Sequence, residues 1–264
     1  MVGTLKNFLR RTPLIKPIRF VRSIPTLSLT QGPLTYNQDG LATIHNCDFM
    51  KESLFIEAYE LGEATYKGTG SFIEGAKIHW RLHVVCWAAN QGKNMEGDFV
   101  ECGVNRGWFS RAVMHYIDFS KLNKQFYLLD TFEGFSEKYL EDEERRLGKL
   151  PGLKIYENCY ESVKETFKDI PNVKIIRGPV PETLNQVDSN KVCYLSIDMN
   201  CVIPEIAAAE FFWDKLVCGG VIVLDDYGFT GFHLQKNAFD EFAAKRNIKI
   251  LSLPTGQGLI VKPY

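Results

Sequence analysis

The sequence lacks the features that mark several classes of protein. Its formal net charge is only −1, which argues against a nucleic-acid partner held mainly by electrostatic attraction. It has no apolar run long enough to span a bilayer and no repeat or low-complexity segment. Its seven cysteines include no Cys-x-x-Cys pair, and with no secretory signal their odd number indicates buried thiols in a reducing compartment. We therefore expect a cytoplasmic protein with no nucleic-acid partner.

The segment 97–108 predicts a buried strand that runs into a glycine-rich turn and then a helix. Residues 98–102 have the short apolar character of a parallel strand. Glu101 lies near the end of that strand, and Gly103 and Gly107 remove side chains where a ligand would lie against the backbone. The arrangement is typical of a turn that binds a nucleoside-bearing cofactor, and an ordinary strand-to-helix turn is the alternative.

Apolar segments of strand length alternate with helical patterns along most of the chain. They occupy residues 98–102, 125–130, 173–177, 192–198 and 220–225. This alternation predicts a parallel sheet with helices on both faces. Residues 248–253 and 259–262, separated by a Pro/Gly-containing turn, predict a terminal hairpin. We therefore predict a doubly wound α/β fold, and the hairpin points away from dinucleotide dehydrogenases.

Acidic residues follow three of these strands. Asp130 ends the second strand, where doubly wound folds place a carboxylate that accepts hydrogen bonds from ribose hydroxyls; a turn cap is the alternative. Asp198 ends the fourth strand, and Asp225 and Asp226 end the fifth. If these strands are neighbours, three carboxylates meet at one edge of the crevice, and a divalent cation is the simplest way to stabilise them. Carboxylate oxygens are ligands that Mg²⁺ prefers. For Asp226, a turn cap is the alternative role.

Four sequence motifs occur in a characteristic order. They are Gly-Asp-Phe-Val-Glu-Cys-Gly-Val at 97–104, Leu-Asp-Thr-Phe-Glu-Gly-Phe at 129–135, Leu-Ser-Ile-Asp at 195–198 and Gly-Gly-Val-Ile-Val-Leu-Asp-Asp-Tyr-Gly at 219–228. The set resembles class I S-adenosylmethionine-dependent methyltransferases, specifically the macrocin O-methyltransferase-like branch. This resemblance implies a Rossmann-like, seven-stranded sheet whose last strand is antiparallel. It places a helical N-terminal extension at 1–70 and the methyltransferase domain at 71–264.

The same resemblance implies a set of site residues. S-adenosylmethionine would be bound by Glu101, Gly103, Asn105, Gly107, Asp130, Thr131, Gly178 and Pro179. Mg²⁺ would be bound by Asp198, Asp225 and Asp226. Two positions depart from the family pattern: Asn105 replaces a glycine common in methyltransferases, and Asn200 replaces a second aspartate. Because of Asn200, weaker binding of the metal, or no binding, is the alternative.

The expected reaction is O-methyl transfer to a hydroxyl of a sugar or another polar small molecule. The sulfonium methyl is already activated, so the protein mainly has to align acceptor oxygen, methyl carbon and sulfur. Asp198 is the expected catalytic residue, as general base or as the ligand of an ionised acceptor, and His233 is the reserve base. Residues 137–146 predict a solvated charged helix or a lid over the acceptor. A Rossmann oxidoreductase and a non-catalytic protein that keeps the fold are the alternative functions.

The N-terminal third contains patterns outside these motifs. Residues 1–22 contain six basic residues and no acid, interleaved with apolar ones. Such a segment is typical of peripheral contact with an anionic membrane. The alternative is a mobile arm, or an arm that packs between subunits of a homo-oligomer. Helical spacing predicts helices over 47–62 and 78–91. In the second of these, His79 and His83 have metal-ligand spacing without a third ligand, so a structural role is favoured.

Overall fold

The computed structural model describes residues 32–147 and 156–264. The chain divides into two units, residues 1–47 and residues 48–264. The basic segment 1–22 lies outside the described residues, so both interpretations of it stay predictions. Among the described residues, no helix combines the length and the apolar character needed to cross a membrane.

A short antiparallel hairpin is the regular structure described in the first unit. Its strands are β1 (Tyr36–Gln38) and β2 (Leu41–Thr43). Asp39 and Gly40 join them with φ angles of 52° and 75°. Left-handed backbone at both positions is what a two-residue hairpin turn requires, because its twist matches that of the strands.

The second unit contains one seven-stranded sheet within its described residues. Its strands are β3 (Asp98–Cys102), β4 (Phe126–Asp130), β5 (Val173–Arg177), β6 (Val192–Ile197), β7 (Leu216–Leu224), β8 (Leu251–Ser252) and β9 (Gly258–Val261). They lie in the order β5-β4-β3-β6-β7-β9-β8. The first five run parallel, whereas β9 is antiparallel to both β7 and β8. The predicted doubly wound α/β fold, with its antiparallel last strand, is confirmed.

Helices cover both faces of this sheet because β3 to β7 bury side chains on both sides. The helices are α1 (Ser53–Glu63), α2 (His79–Gly92), α3 (Trp108–Tyr116), α4 (Asp142–Arg146), α5 (Tyr160–Phe167), α6 (Val202–Trp213) and α7 (His233–Lys245). Phe99 belongs to the core that includes residues of α1, α2, α3 and α5. Its neighbour Val100 belongs to the opposite core, with α6 and α7. This alternation is the two-residue period of a strand buried on both faces.

Several predicted elements have different bounds in the structure. The predicted strand 248–253, for example, is reduced to Leu251–Ser252. The starts of two other elements shift most. Strand β7 begins at Leu216 rather than at 220, and its register with β6 shifts between the Val192–Leu216 and Tyr194–Val221 pairs. The helix predicted over 47–62 begins at Ser53, because residues Asp48–Lys51 form a separate 3₁₀ turn. Neither change moves the carboxyl ends of the strands, where the predicted site residues lie.

The two histidines of α2 pack against aromatic rings. His79 stacks on Tyr59 with ring centroids 4.0 Å apart, and His83 stacks on Phe49 at 4.0 Å. Burial lowers the pKa of both imidazoles. Each ring therefore has an aromatic packing partner of its own, which gives these histidines the structural role that the sequence favoured.

Candidate active site

The glycine-rich turn after β3 lies directly against the end of β6. A Cβ atom on Gly103 would lie 1.8 Å from the carbonyl oxygen of Asp198, and Gly103 has φ of +91°. The backbone N–H of Asp198 in turn donates to the carbonyl of Cys102 at 2.8 Å. Only glycine fits such a position, since it has no Cβ and tolerates positive φ. The cofactor turn predicted from the sequence and the acid after β6 are therefore in backbone contact.

The second glycine of this turn also has a packing reason. Gly107 has φ of +86°, and a Cβ there would lie 2.8 Å from the ring of Phe167. The sequence assigned both glycines to close approach of a ligand. In the structure, protein atoms already occupy the space where a side chain of either residue would lie. A ligand would therefore approach the backbone of the turn and not the Cβ positions of these glycines.

Asp130 fastens the turn after β3 to the turn after β4. One carboxylate oxygen accepts the backbone N–H groups of Val104 and Asn105 at 2.6 and 2.7 Å. The other accepts the N–H of Phe132 at 2.6 Å, whereas the single hydroxyl proton of Thr131 is donated to the carbonyl of Gly134. Three backbone N–H groups therefore donate to this carboxylate. Asp130 therefore caps these turns, and its contact with ribose hydroxyls stays a prediction. Asn105 adopts the left-handed backbone (φ 48°) that asparagine tolerates.

Glu101 is a buried carboxyl group with one unsatisfied oxygen. Its side chain is 2% exposed, and the hydroxyl of Ser110 donates to Oε1 at 3.0 Å. Oε2 is buried and has no hydrogen-bond partner among the described residues. Burial raises the pKa of Glu101 to about 8, against a smaller lowering by Ser110. Because an unpaired buried acceptor is destabilising, this oxygen fits a donor or a cation supplied by a bound cofactor.

A surface cavity adjoins the turn after β4. Its volume is about 530 Å³, and its walls are formed by Thr131, Glu133, Gly134, Phe135, Ser136, Arg177, Gly178 and Pro179. A cavity of several hundred Å³ is typical of small-molecule sites. Three of the predicted cofactor residues, Thr131, Gly178 and Pro179, come together here. The other five lie along the turn after β3 and at the ends of β3 and β4.

Asp198, Asp225 and Asp226 form an acid cluster at the same edge of the sheet. One ligand oxygen from each lies within 4.8 Å of the others. Asp225 and Asp226 are buried and Asp198 is partly buried. Burial, followed by repulsion from the other two carboxylates, raises the pKa of Asp198 well above its usual range. Three converging carboxylate oxygens are the hard donor set that Mg²⁺ prefers, so the residues present fit that ion.

Three residues orient this acid cluster, and sequence reasoning missed two of them, Arg81 and Gln257. Nη1 of Arg81, on α2, lies 2.7 Å from Oδ2 of Asp225. Nε2 of Gln257, in the β8–β9 hairpin, donates to Oδ1 of Asp225 at 2.9 Å. Nδ2 of Asn200 donates to Oδ1 of Asp198 at 3.0 Å, a bond that an ionised aspartate at this position could not donate. No local pattern marks Arg81 or Gln257, because each is far from Asp225 in sequence.

Two tyrosines lie near the acid cluster, and one of them packs against further aromatic rings. Burial is the main cause of the raised pKa of the Tyr66 and Tyr156 hydroxyls, and the negative charge of Asp198 adds to it. The ring of Tyr156 lies 5.3 Å from that of Phe135 and 6.0 Å from that of Phe72. Phe72 is 66% exposed. The reserve base, His233, is an exposed residue at the start of α7.

The charged segment predicted as a solvated helix or a lid is partly buried. It forms a 3₁₀ turn (Glu137–Tyr139) and the short helix α4. Glu144 is fully buried. Its carboxylate accepts the N–H of Val202, in the first turn of α6, at 3.1 Å. The segment is therefore anchored beside the loop that carries Asp198, and a lid function stays a prediction.

The fold is similar to that of several solved methyltransferases. The O-methyltransferase NovP is 18% identical with a TM-score of 0.67, over 80% of this chain and 98% of NovP. The calicheamicin methyltransferase CalS11 is 12% identical with a TM-score of 0.53, over 88% and 99%. The S-adenosylhomocysteine-bound PaMTH1 of Podospora anserina is 16% identical with a TM-score of 0.51, over 81% and 89%. At these identities the likeness establishes a shared fold. A comparison with curated proteins finds no match.

Sequence similarity to a protein family identifies the chain more closely. The model of the macrocin-O-methyltransferase (TylF) family matches residues 75–251, a span that includes every predicted site residue. The match favours a methyltransferase over the two alternative functions, a Rossmann oxidoreductase and a non-catalytic protein that keeps the fold. The chain belongs to the macrocin-O-methyltransferase (TylF) family and is an S-adenosylmethionine-dependent methyltransferase.

Proposed function

We propose that the protein methylates a hydroxyl of a sugar or another polar small molecule, assisted by Mg²⁺. The observation that carries the proposal is the backbone contact between Gly103 and Asp198. It joins the turn proposed to hold the methyl donor to the acid cluster proposed to hold the acceptor oxygen. A sugar acceptor is supported by CalS11, which is described as a TDP-rhamnose 3'-O-methyltransferase.

S-adenosylmethionine would supply an activated methyl group, and this chain's residues would bind and orient it. The unpaired oxygen of Glu101 is suited to accept a hydrogen bond from the cofactor's ammonium group. The cavity formed in part by Thr131, Gly178 and Pro179 is suited to the adenosine part. Asp130 would act on cofactor affinity through the turn that it fastens, rather than through a free carboxylate.

The acid cluster would hold the divalent ion and accept the acceptor's proton. Bound Mg²⁺ lowers the pKa of a coordinated hydroxyl. Asp198 is the candidate base because it is the least buried of the three acids and lies beside the turn. Asn200 fixes its orientation through the hydrogen bond to Oδ1. The rings of Phe72 and Tyr156 are suited to pack against the acceptor.

The test is a methyl-transfer assay with sugar nucleotides and hydroxylated glycosides, in which S-adenosylhomocysteine is measured. Chelation should suppress turnover, and added Mg²⁺ should restore it. Asp198→Asn should reduce the rate by ~10²–10⁴, the usual effect of losing a general base. Asp118→Asn is the matched control, because Asp118 is exposed, pairs with Lys121 and has a left-handed backbone (φ 54°) that asparagine tolerates.

Each part of the proposal can fail separately. Full activity in excess chelator would show that the reaction needs no metal, and Asp198 would then act directly as the base. Full activity of Asp198→Asn would remove both roles of this residue. If no hydroxylated acceptor is methylated while S-adenosylmethionine binds, the proposed substrate class is wrong.

A further inference from the structure

Arg81 places a permanent positive charge at the acid cluster. Its guanidinium is 2.7 Å from Asp225, and the two side chains are 19% and 4% exposed. The group also lies over the rings of Phe109 and Phe229, at 6.0 and 5.6 Å from their centroids. A guanidinium stays protonated at any pH at which the protein is folded. The cluster therefore contains three carboxylates and one cation that cannot be titrated away.

Asp225 is held from two sides by elements that do not carry the other acids. Arg81 reaches Oδ2 from α2, and Gln257 reaches Oδ1 from the terminal hairpin. The hydroxyl of Thr255 donates to Oε1 of Gln257 at 2.9 Å, which fixes the amide so that its nitrogen faces Asp225. Both oxygens of Asp225 thus already accept a hydrogen bond from the protein, one of them charge-assisted.

We infer that Arg81 acts as a counter-cation that limits the affinity of the acid cluster for divalent ions. This inference rests on the metal site of the proposed function. A divalent ion at the cluster is attracted by the carboxylates and repelled by the guanidinium. Removing that charge should strengthen metal binding. If Arg81 served only to orient a ligand, its removal would weaken binding.

The magnitude follows from Coulomb's law. At a water-like dielectric constant, a unit charge about 6 Å from a divalent ion changes its binding constant by roughly tenfold, and a lower local dielectric increases the effect. Arg81→Gln should therefore bind a divalent ion at least about tenfold more tightly than the wild type. Arg81→Lys keeps the charge and should stay close to the wild type.

The experiment uses the full chain without acceptor and Mn²⁺ as the probe, with free Mn²⁺ measured by electron paramagnetic resonance. Lys191→Gln is the matched control. It removes one positive charge at the start of β6, the opposite end of the strand from Asp198, where Lys191 pairs with Glu96 at 2.7 Å. Arg81→Met retains apolar contact with Phe109 and Phe229 and replaces Arg81→Gln if the polar variant does not fold.

The outcomes separate this inference from the proposed function. Tighter Mn²⁺ binding by Arg81→Gln or Arg81→Met, with Arg81→Lys and Lys191→Gln unchanged, supports the counter-cation. Equal or weaker binding by the uncharged variants, with measurable binding by the wild type, overturns the inference and leaves the metal site standing. Absence of Mn²⁺ binding in every form overturns both.

Discussion

The stability of the protein should depend on pH through Glu101. This side chain is 2% exposed, and burial raises its pKa from an ordinary value of 4.5 to about 8. Below pH 4.5 the carboxyl is protonated in the folded and the unfolded chain, and its favourable contribution is fully present. As the pH rises from 4.5 towards 8, the unfolded chain ionises while the folded protein keeps the proton. Stability is therefore lost over this range.

The size of the effect follows from the two pKa values. The difference between 4.5 and about 8 corresponds to roughly 5 kcal/mol of unfolding free energy. Glu101→Gln removes the ionisation and resembles the protonated carboxyl in shape and in its hydrogen bond with Ser110. The variant should match the wild type near pH 4.5 and exceed its stability by several kcal/mol at pH 8.

Urea unfolding of the cofactor-free protein at a series of pH values measures this difference. Glu96→Gln, at an exposed carboxylate, is the control and should change the unfolding free energy by less than ~0.5 kcal/mol. Parallel curves for the wild type and Glu101→Gln between pH 5 and 8.5 would refute the reasoning, because they would mean that Glu101 is already ionised in the folded protein.

The same group links cofactor binding to proton release. At pH 7 a carboxyl group with a pKa of about 8 is roughly nine-tenths protonated. If the ammonium group of S-adenosylmethionine pairs with Glu101, binding should release most of one proton. Calorimetry in two buffers of different ionisation enthalpy measures this number. Binding without proton release would show that the ammonium group does not pair with Glu101.

Two further predictions concern the turn after β3. Asp130→Ala should weaken S-adenosylmethionine binding by ~1–3 kcal/mol in calorimetry, since the amides of Val104 and Asn105 lose their charged acceptor; unchanged affinity would show that the cofactor does not use this turn. Gly103→Ala should destabilise the protein by more than ~3 kcal/mol in thermal unfolding, because its Cβ would overlap the backbone of Asp198. Gly70→Ala, at φ +68° with open space around it, should show only the ~1 kcal/mol of backbone strain, and equal losses at both glycines would contradict the overlap.

The sequence predicts the parallel strands well because they are short apolar runs, whereas the exposed strand β8 is shorter than predicted. The bounds of β3 and β5 agree with the predicted 98–102 and 173–177. The convergence of Asp198, Asp225 and Asp226 was also predictable, because the carboxyl ends of neighbouring parallel strands meet at one edge. The strands follow from local patterns of apolar residues. The convergence follows from the pairing of two consecutive parallel strands, β6 and β7.

Interactions between distant segments were not predictable in the same way. Arg81 and Asp225 are separated by 144 positions, and nothing in the helical pattern around Arg81 distinguishes it from a surface arginine. From the sequence, Glu144 is indistinguishable from the other charged residues of its helix. In the structure it is fully buried, and its carboxylate accepts a hydrogen bond from the N–H of Val202 in α6. Asp130 was recognised as an important acid, but whether its partners are ribose hydroxyls or backbone amides depends on the path of the turn in space.

The contact between Gly103 and Asp198 has a consequence for redesign of the enzyme. Because the two backbones touch, the turn proposed to align the donor and the acid proposed to remove the proton cannot shift independently of each other. A new acceptor range should therefore be sought by randomising Phe72 and Tyr156, the rings proposed to pack against the acceptor, which contact each other from separate segments of the chain. Libraries that leave residues 103 and 198–200 intact should retain far more active members than libraries that include them.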